Sequence, residues 1–185
     1  MNDQLILKKP RLSLKAQTLA TVIAVAAAVA LPQFFHVLGM VSGTGSALGE
    51  ALLPMHLPVL LVGLLAGPYA GAIAGALSPL VSFALTGMPK AAMLPFMVIE
   101  LCVYGLCTGL LRGKNMHAFF KVLIAQLAGR AARAGAILVA NYIMGSTAVP
   151  VSVIWTSIVT GLFGLLLQWA LLPLIVYRVE HAANK

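Results

Sequence analysis

Six long stretches of this chain run almost without polar interruption, at residues 16–37, 54–66, 69–85, 92–111, 118–144 and 151–177. None alternates apolar and polar residues with a period of two, so each predicts a helix rather than a strand. The punctuation between them is polar or turn-forming. A Gly/Ser-rich segment carrying Glu50 covers residues 39–53, and Gly67-Pro68 separates the second stretch from the third. Gly87, Pro89 and Lys90 mark the next loop, residues 112–117 form a polar one, and residues 145–150 make the last turn. Pro79 inside the third stretch predicts a kink. The second stretch is short for a membrane span.

Composition fixes the solvent for these helices. Of 185 residues, 61% are hydrophobic and only 9% are charged. A soluble domain carries about 25% charged residues, so the surface of this chain must face lipid. In lipid every backbone polar group has to be satisfied internally, which again selects helices. The expected fold is an all-α membrane bundle of six transmembrane helices, forming one integral membrane domain over residues 1–185.

Charge gives the orientation. Twelve Lys and Arg face four Asp and Glu, for a net charge of +8. With the N-terminus in the cytoplasm, the inner segments hold Lys8, Lys9, Arg11, Lys15, Arg112, Lys114, Lys121, Arg178 and Lys185, and the outer ones only Lys90. The positive-inside rule therefore places both termini in the cytoplasm. No basic, aromatic-rich polar face remains for nucleic acid. The basic start and Ala28-Val29-Ala30 also resemble a signal peptide, but the apolar run continues through Leu31 and Phe35. Cys102 and Cys107 share one helix, point to different faces, and read as small buried hydrophobes.

Small residues mark where helices approach one another. Ala16, Ala20, Ala24 and Ala28 recur every four residues on the first helix, Gly71 and Gly75 on the third, Gly105 and Gly109 on the fourth. Such rows let backbones come close. The glycine pairs predict internal packing. The alanine row is longer than packing needs and predicts a face for a partner subunit.

Three charges lie deep in the apolar runs: Glu100, Arg130 and Arg133. A central charge costs about 2.5–3.5 kcal/mol on insertion scales and marks function or pairing. Gln126, Arg130, Arg133, Ile137 and Asn141 form a stripe at helical spacing, as do Phe96, Glu100, Tyr104 and Cys107. Two readings follow. Glu100 forms a structural ion pair with one of the arginines, Arg130 reaching instead to the cytoplasmic interface. Or Glu100, Tyr104, Asn141 and Arg133 line a polar pocket in the outer half of the bundle, its surplus positive charge suited to a carboxylate or phosphate. Phe96, Tyr142 and Trp155 sit where they either stack on a ligand ring or form an interfacial belt. His36, Glu50 and His56 match no compact metal motif, and His56 reads as a pocket hydrogen-bonding residue. No catalytic signature, cofactor motif or phosphate loop is present. The chain is thus expected to be no enzyme, and any active transport needs an ion gradient or another subunit.

The series from Leu53-Pro54-Met55-His56-Leu57-Pro58 through Ala66-Gly67-Pro68, Gly71, Gly75, Ser78-Pro79-Leu80 and Leu85-Thr86-Gly87-Met88-Pro89 to Pro95-Phe96-Met97, Glu100-Leu101 and Tyr104-Gly105 resembles the substrate-binding S component of an energy-coupling factor (ECF) transporter. The resemblance implies a six-helix subunit of a prokaryotic cytoplasmic membrane. It implies a high-affinity site for a vitamin or related micronutrient near the outer face, covered by the loop after the first helix, here residues 39–53. It also implies a coupling transmembrane subunit, contacted through an alanine row like that of Ala16 to Ala28, and two cytoplasmic ATPases. Metal-specific members carry a His just behind the first Met, whereas this chain starts Met1-Asn2-Asp3-Gln4. The surplus arginine suggests a small anionic or zwitterionic vitamin. A small membrane scaffold, with purely structural charges, is the competing expectation.

Overall fold

A computed structural model describes residues 12–45 and 47–183. Lys8, Lys9, Arg11 and Lys185, which weigh in the orientation argument, lie outside the described residues, as does Met1-Asn2-Asp3-Gln4. The described residues form eight helices and no strand: α1 (Leu14–Val41), α2 (Ala47–Leu52), α3 (His56–Ala66), α4 (Pro68–Thr86), α5 (Leu94–Leu111), α6 (Ala118–Tyr142), α7 (Val153–Thr160) and α8 (Leu162–Ala183). Six candidate membrane spans result, with α2 and α3 together making one, Ala47–Ala66. Their outer faces carry Leu19, Val22, Phe34, Leu127, Phe163 and Leu166, all exposed, as lipid contact requires.

Local chemistry sets the helix ends. Ser13 caps α1 by accepting a hydrogen bond from the Ala16 amide. Gly67 (φ 110°) makes the sharp reversal into α4, and Pro68 sits at its first turn. Gly87 ends α4 in the left-handed region. Two elements depart from the sequence reading. The segment after the first helix is largely helical, since α1 continues to Val41 and α2 follows. The sixth apolar run, expected as one helix over 151–177, breaks at Gly161 into α7 and α8. The break has a tertiary cause: Gly161 receives the Leu53 side chain, and Gly164 lies against the Ala51 and Leu52 backbone. A side chain at either position would push the α2–α3 junction away.

The core joins α1, α3, α5, α6 and α8 through Ala28, Val59, Leu60, Leu101, Tyr104, Val122 and Leu172, each fully buried. A second cluster unites Ala24 of α1 with Val62, Ala66, Ala70 and Ala74, with Ala20 packed beside it. This corrects the expectation that the whole alanine row faces a partner. Ala24 and Ala28 are consumed by internal packing, because small residues let α1 settle onto α3 and α4. Only Ala16 and Ala20 keep partial exposure. The glycine pairs do pack internally: a Cβ on Gly71 would strike the Gly105 carbonyl, and one on Gly75 the Leu101 carbonyl.

A buried polar chain ties α6 and α8 to the α2–α3 junction. The Trp169 indole donates to Gln126 Oε1. Gln126 Nε2 donates to Gln168 Oε1 at 2.8 Å, and Gln168 Nε2 to the Leu53 carbonyl at 3.2 Å. Leu53 itself has φ 49°, the left-handed region, a conformation costly for a branched apolar residue and held only by its surroundings. Gln168→Leu removes the acceptor of the Gln126 amide. It should lower stability by about 1–3 kcal/mol, read as a reduced unfolding temperature in detergent, while a change as small as that of a lipid-facing substitution would dismiss the network.

Candidate functional site

A cavity of about 560 Å3 opens at the end of the bundle where α1 and α4 finish and α3 and α5 begin. Its volume is within the range of about 300–1,000 Å3 typical of small-molecule sites. Pro32, Gln33 and His36 of α1 form one side, and Thr156, Ser157 and Thr160 of α7 another. Glu50 of α2 and Lys90 of the α4–α5 loop also line it. The His36 ring lies against Gly49, so α2 is seated on α1 beside the cavity. Met55, Met88, Met93 and Met97 supply an apolar, deformable wall.

The floor is polar. Glu100 is wholly buried, and its Oε2 accepts from Arg133 Nη1 at 2.9 Å. Its Oε1 accepts from the Tyr104 hydroxyl at 2.8 Å. Helical geometry explains the set: Glu100 and Tyr104 are four residues apart on one face of α5. Gly129 of α6 leaves room for the Tyr104 ring, which lets α6 come close enough for Arg133 to reach Glu100. The His56 ring lies 5.5 Å from that of Tyr104, and its Nδ1 is buried without a hydrogen-bond partner. Arg130, one turn from Arg133, also lines the cavity. Its Nη1 donates to the Ser157 carbonyl at 3.4 Å, and its Nε has no partner.

The structure thus brings His56, Glu100 and Arg133 to one cavity and puts Tyr104 directly beneath Glu100. It does not bring Phe96, Asn141 or Trp155 to the wall. Phe96 is half-buried elsewhere on α5. Asn141 Nδ2 donates to the carbonyls of Ile137 and Val149, both at 2.9 Å, and braces the turn that leads to α7. Trp155 is 72% exposed and Tyr142 77%. Of the two candidate partners, Glu100 takes Arg133. Arg130 turns to the cavity. Among the described residues no group of three or more His, Cys, Asp or Glu gathers to hold a metal.

A family model described as the substrate-specific component of ECF transporters matches residues 17–176. The chain belongs to this family. It is therefore a multi-pass, substrate-specific membrane component of an ECF transporter, and no enzyme. No curated protein and no solved structure matches it.

In this ECF component, sequence reasoning singled out Arg130 but did not place it on the pocket wall, and it missed the methionines. A signal for the methionines existed. Met93, Met97 and Glu100 fall at four- and three-residue spacing, so the polar face of α5 that carries Glu100 continues as a sulfur-lined face toward the helix start. Ser157 contributes through its backbone carbonyl, which residue type could not announce.

Proposed function

We propose that this ECF substrate-specific component captures a water-soluble vitamin or related micronutrient in the cavity between α1, α3, α5, α6 and α7. The observation that carries the reading is the cavity itself: about 560 Å3 of space with a fixed polar floor and a methionine wall. A bundle whose charges were purely structural would have no need to leave that volume beside a buried ion pair, since membrane helices gain their stability from close packing. The bias of Lys and Arg supports an orientation with both termini in the cytoplasm. The cavity then faces outward, opposite the end that bears Arg112, Lys114 and Arg178. Family membership supports partners for transport: a coupling transmembrane subunit and two cytoplasmic ATPases, in a prokaryotic cytoplasmic membrane. Ala16 and Ala20, the still accessible start of the alanine row, are the proposed place for coupling-subunit contact.

The test is direct. Protein purified in mild detergent, then denatured, should release one small molecule in near-stoichiometric amount, identified by mass spectrometry. Empty preparations, together with no binding across a vitamin panel, would return the scaffold reading.

A further inference from the structure

On the reading that the cavity holds a small molecule, we infer that its occupant is an organic anion, with a carboxylate or phosphate seated on Arg130 and a largely uncharged body against the methionine wall.

The floor contains three fixed charges, and two of them are spent on each other. Glu100 is already committed: Arg133 balances its charge at one oxygen, and the other oxygen accepts from Tyr104. Arg130 is different. Among the described residues, no carboxylate lies within ion-pair distance of it. A guanidinium presents five N–H donors, and here its one hydrogen bond among the described residues is the long one to the Ser157 carbonyl. A cation so placed on the wall of a membrane-embedded cavity is a donor set waiting for an acceptor. Its planar fork fits a carboxylate or phosphate through two parallel hydrogen bonds.

Position agrees with chemistry. Arg130 and Arg133 are neighbours on one face of α6, so the Glu100–Arg133 pair holds that face in place and Arg130 is presented at a fixed height beside it. Lys90, exposed on the cavity wall, adds positive charge and Glu50 adds negative. The three cations Arg130, Arg133 and Lys90 still outnumber the two carboxylates Glu50 and Glu100, and an excess of one sign in a cleft raises the local concentration of its counter-ion. The methionines Met55, Met93 and Met97 provide no charge and no strong hydrogen bond. They suit the apolar or neutral body to which the acid group is attached.

The experiment compares acids with their neutral mates. The protein is placed in phosphatidylcholine nanodiscs, so that no anionic lipid competes. Binding is measured for nicotinate and nicotinamide, biotin and its primary amide, lipoate and lipoamide, and pantothenate and panthenol, and any molecule released on denaturation is identified. An acid bound at least about tenfold tighter than its mate, or an acidic released molecule, is the expected result. Arg130→Gln should then weaken the acid by about a hundredfold, as loss of one partner of a desolvated charge pair does, and weaken the neutral mate far less, so that the preference collapses. Arg130→Lys should keep part of the preference. The wild-type comparison needs no variant, so it decides even where Arg130→Gln fails to fold. A neutral or cationic ligand, or an acid preference that survives Arg130→Gln, overturns the anion subsite while the receptor reading stands. No small molecule bound or released overturns both.

Discussion

Glu100→Gln should destabilise the bundle by about 3 kcal/mol or more, and adding Arg133→Met should recover most of that loss. The single change keeps the size of the side chain and leaves an amide oxygen for the Tyr104 hydroxyl. What it removes is the charge opposite Arg133. Glu100 is 0% exposed and the Arg133 side chain 11%, so water replaces little of the lost partner. Breaking a buried pair from one side costs about 3–5 kcal/mol, because the remaining ion is stranded. Removing both ions abolishes the stranded charge and the desolvation together, and well-packed apolar replacements of buried pairs are often neutral. An exposed pair would behave otherwise, at about 0–1 kcal/mol for any of these changes. Denaturant titration of the wild type and the two variants in mixed micelles separates the cases. A Glu100→Gln loss under about 1 kcal/mol, or a double variant worse than the single one, would mean that Arg133 finds water or another acceptor.

The same pair shows what was legible in the sequence and what was not. That Glu100 faces the arginines follows from helical spacing on two consecutive apolar runs. Which arginine it takes does not, since Arg130 and Arg133 lie on one stripe and the choice depends on the axial offset of α5 and α6. Gly129 sets that offset by admitting the Tyr104 ring, a contact between helices that neither stripe reveals alone. The helix ends at Gly67-Pro68 and Gly87 were legible because glycine and proline restrict the backbone locally. The break at Gly161 was not: the residues on both sides are equally apolar, and its cause is the distant Leu53 docking there. Small residues carry a similar ambiguity. An alanine row says that something approaches closely, and here the something is α3 and α4 for Ala24 and the main core around α3 for Ala28. Asn141 and Trp155 were polar or amphipathic at the right depth, yet a turn to brace and a lipid interface to meet absorb them just as well as a ligand would.

Gly105→Ala should be among the most damaging single-methyl additions in this chain, at about 3 kcal/mol, the upper range for overpacking. The new Cβ would fall on the carbonyl of Gly71, and Gly71 in turn has no space for one toward Gly105. The obstacle is backbone on a facing helix, and it cannot swing aside as a long side chain does. Relief requires α4 and α5 to separate. In lipid no hydrophobic force pulls them back, because acyl chains are as apolar as the helices, and association rests on close packing. Separation would also disturb the cavity, since α4 bears Ser82 and α5 bears Met97 and Glu100. Gly135→Ala is the matched control: it lies within α6, is exposed, and a Cβ there meets nothing within 4 Å. Removing a helix-interior glycine at such a site should be stabilising by about 0.5–1 kcal/mol. The two variants add the same methyl group to the same residue type, so their thermal unfolding temperatures should move in opposite directions. Equal shifts would mean that the α4–α5 glycine contact is not what holds the bundle together.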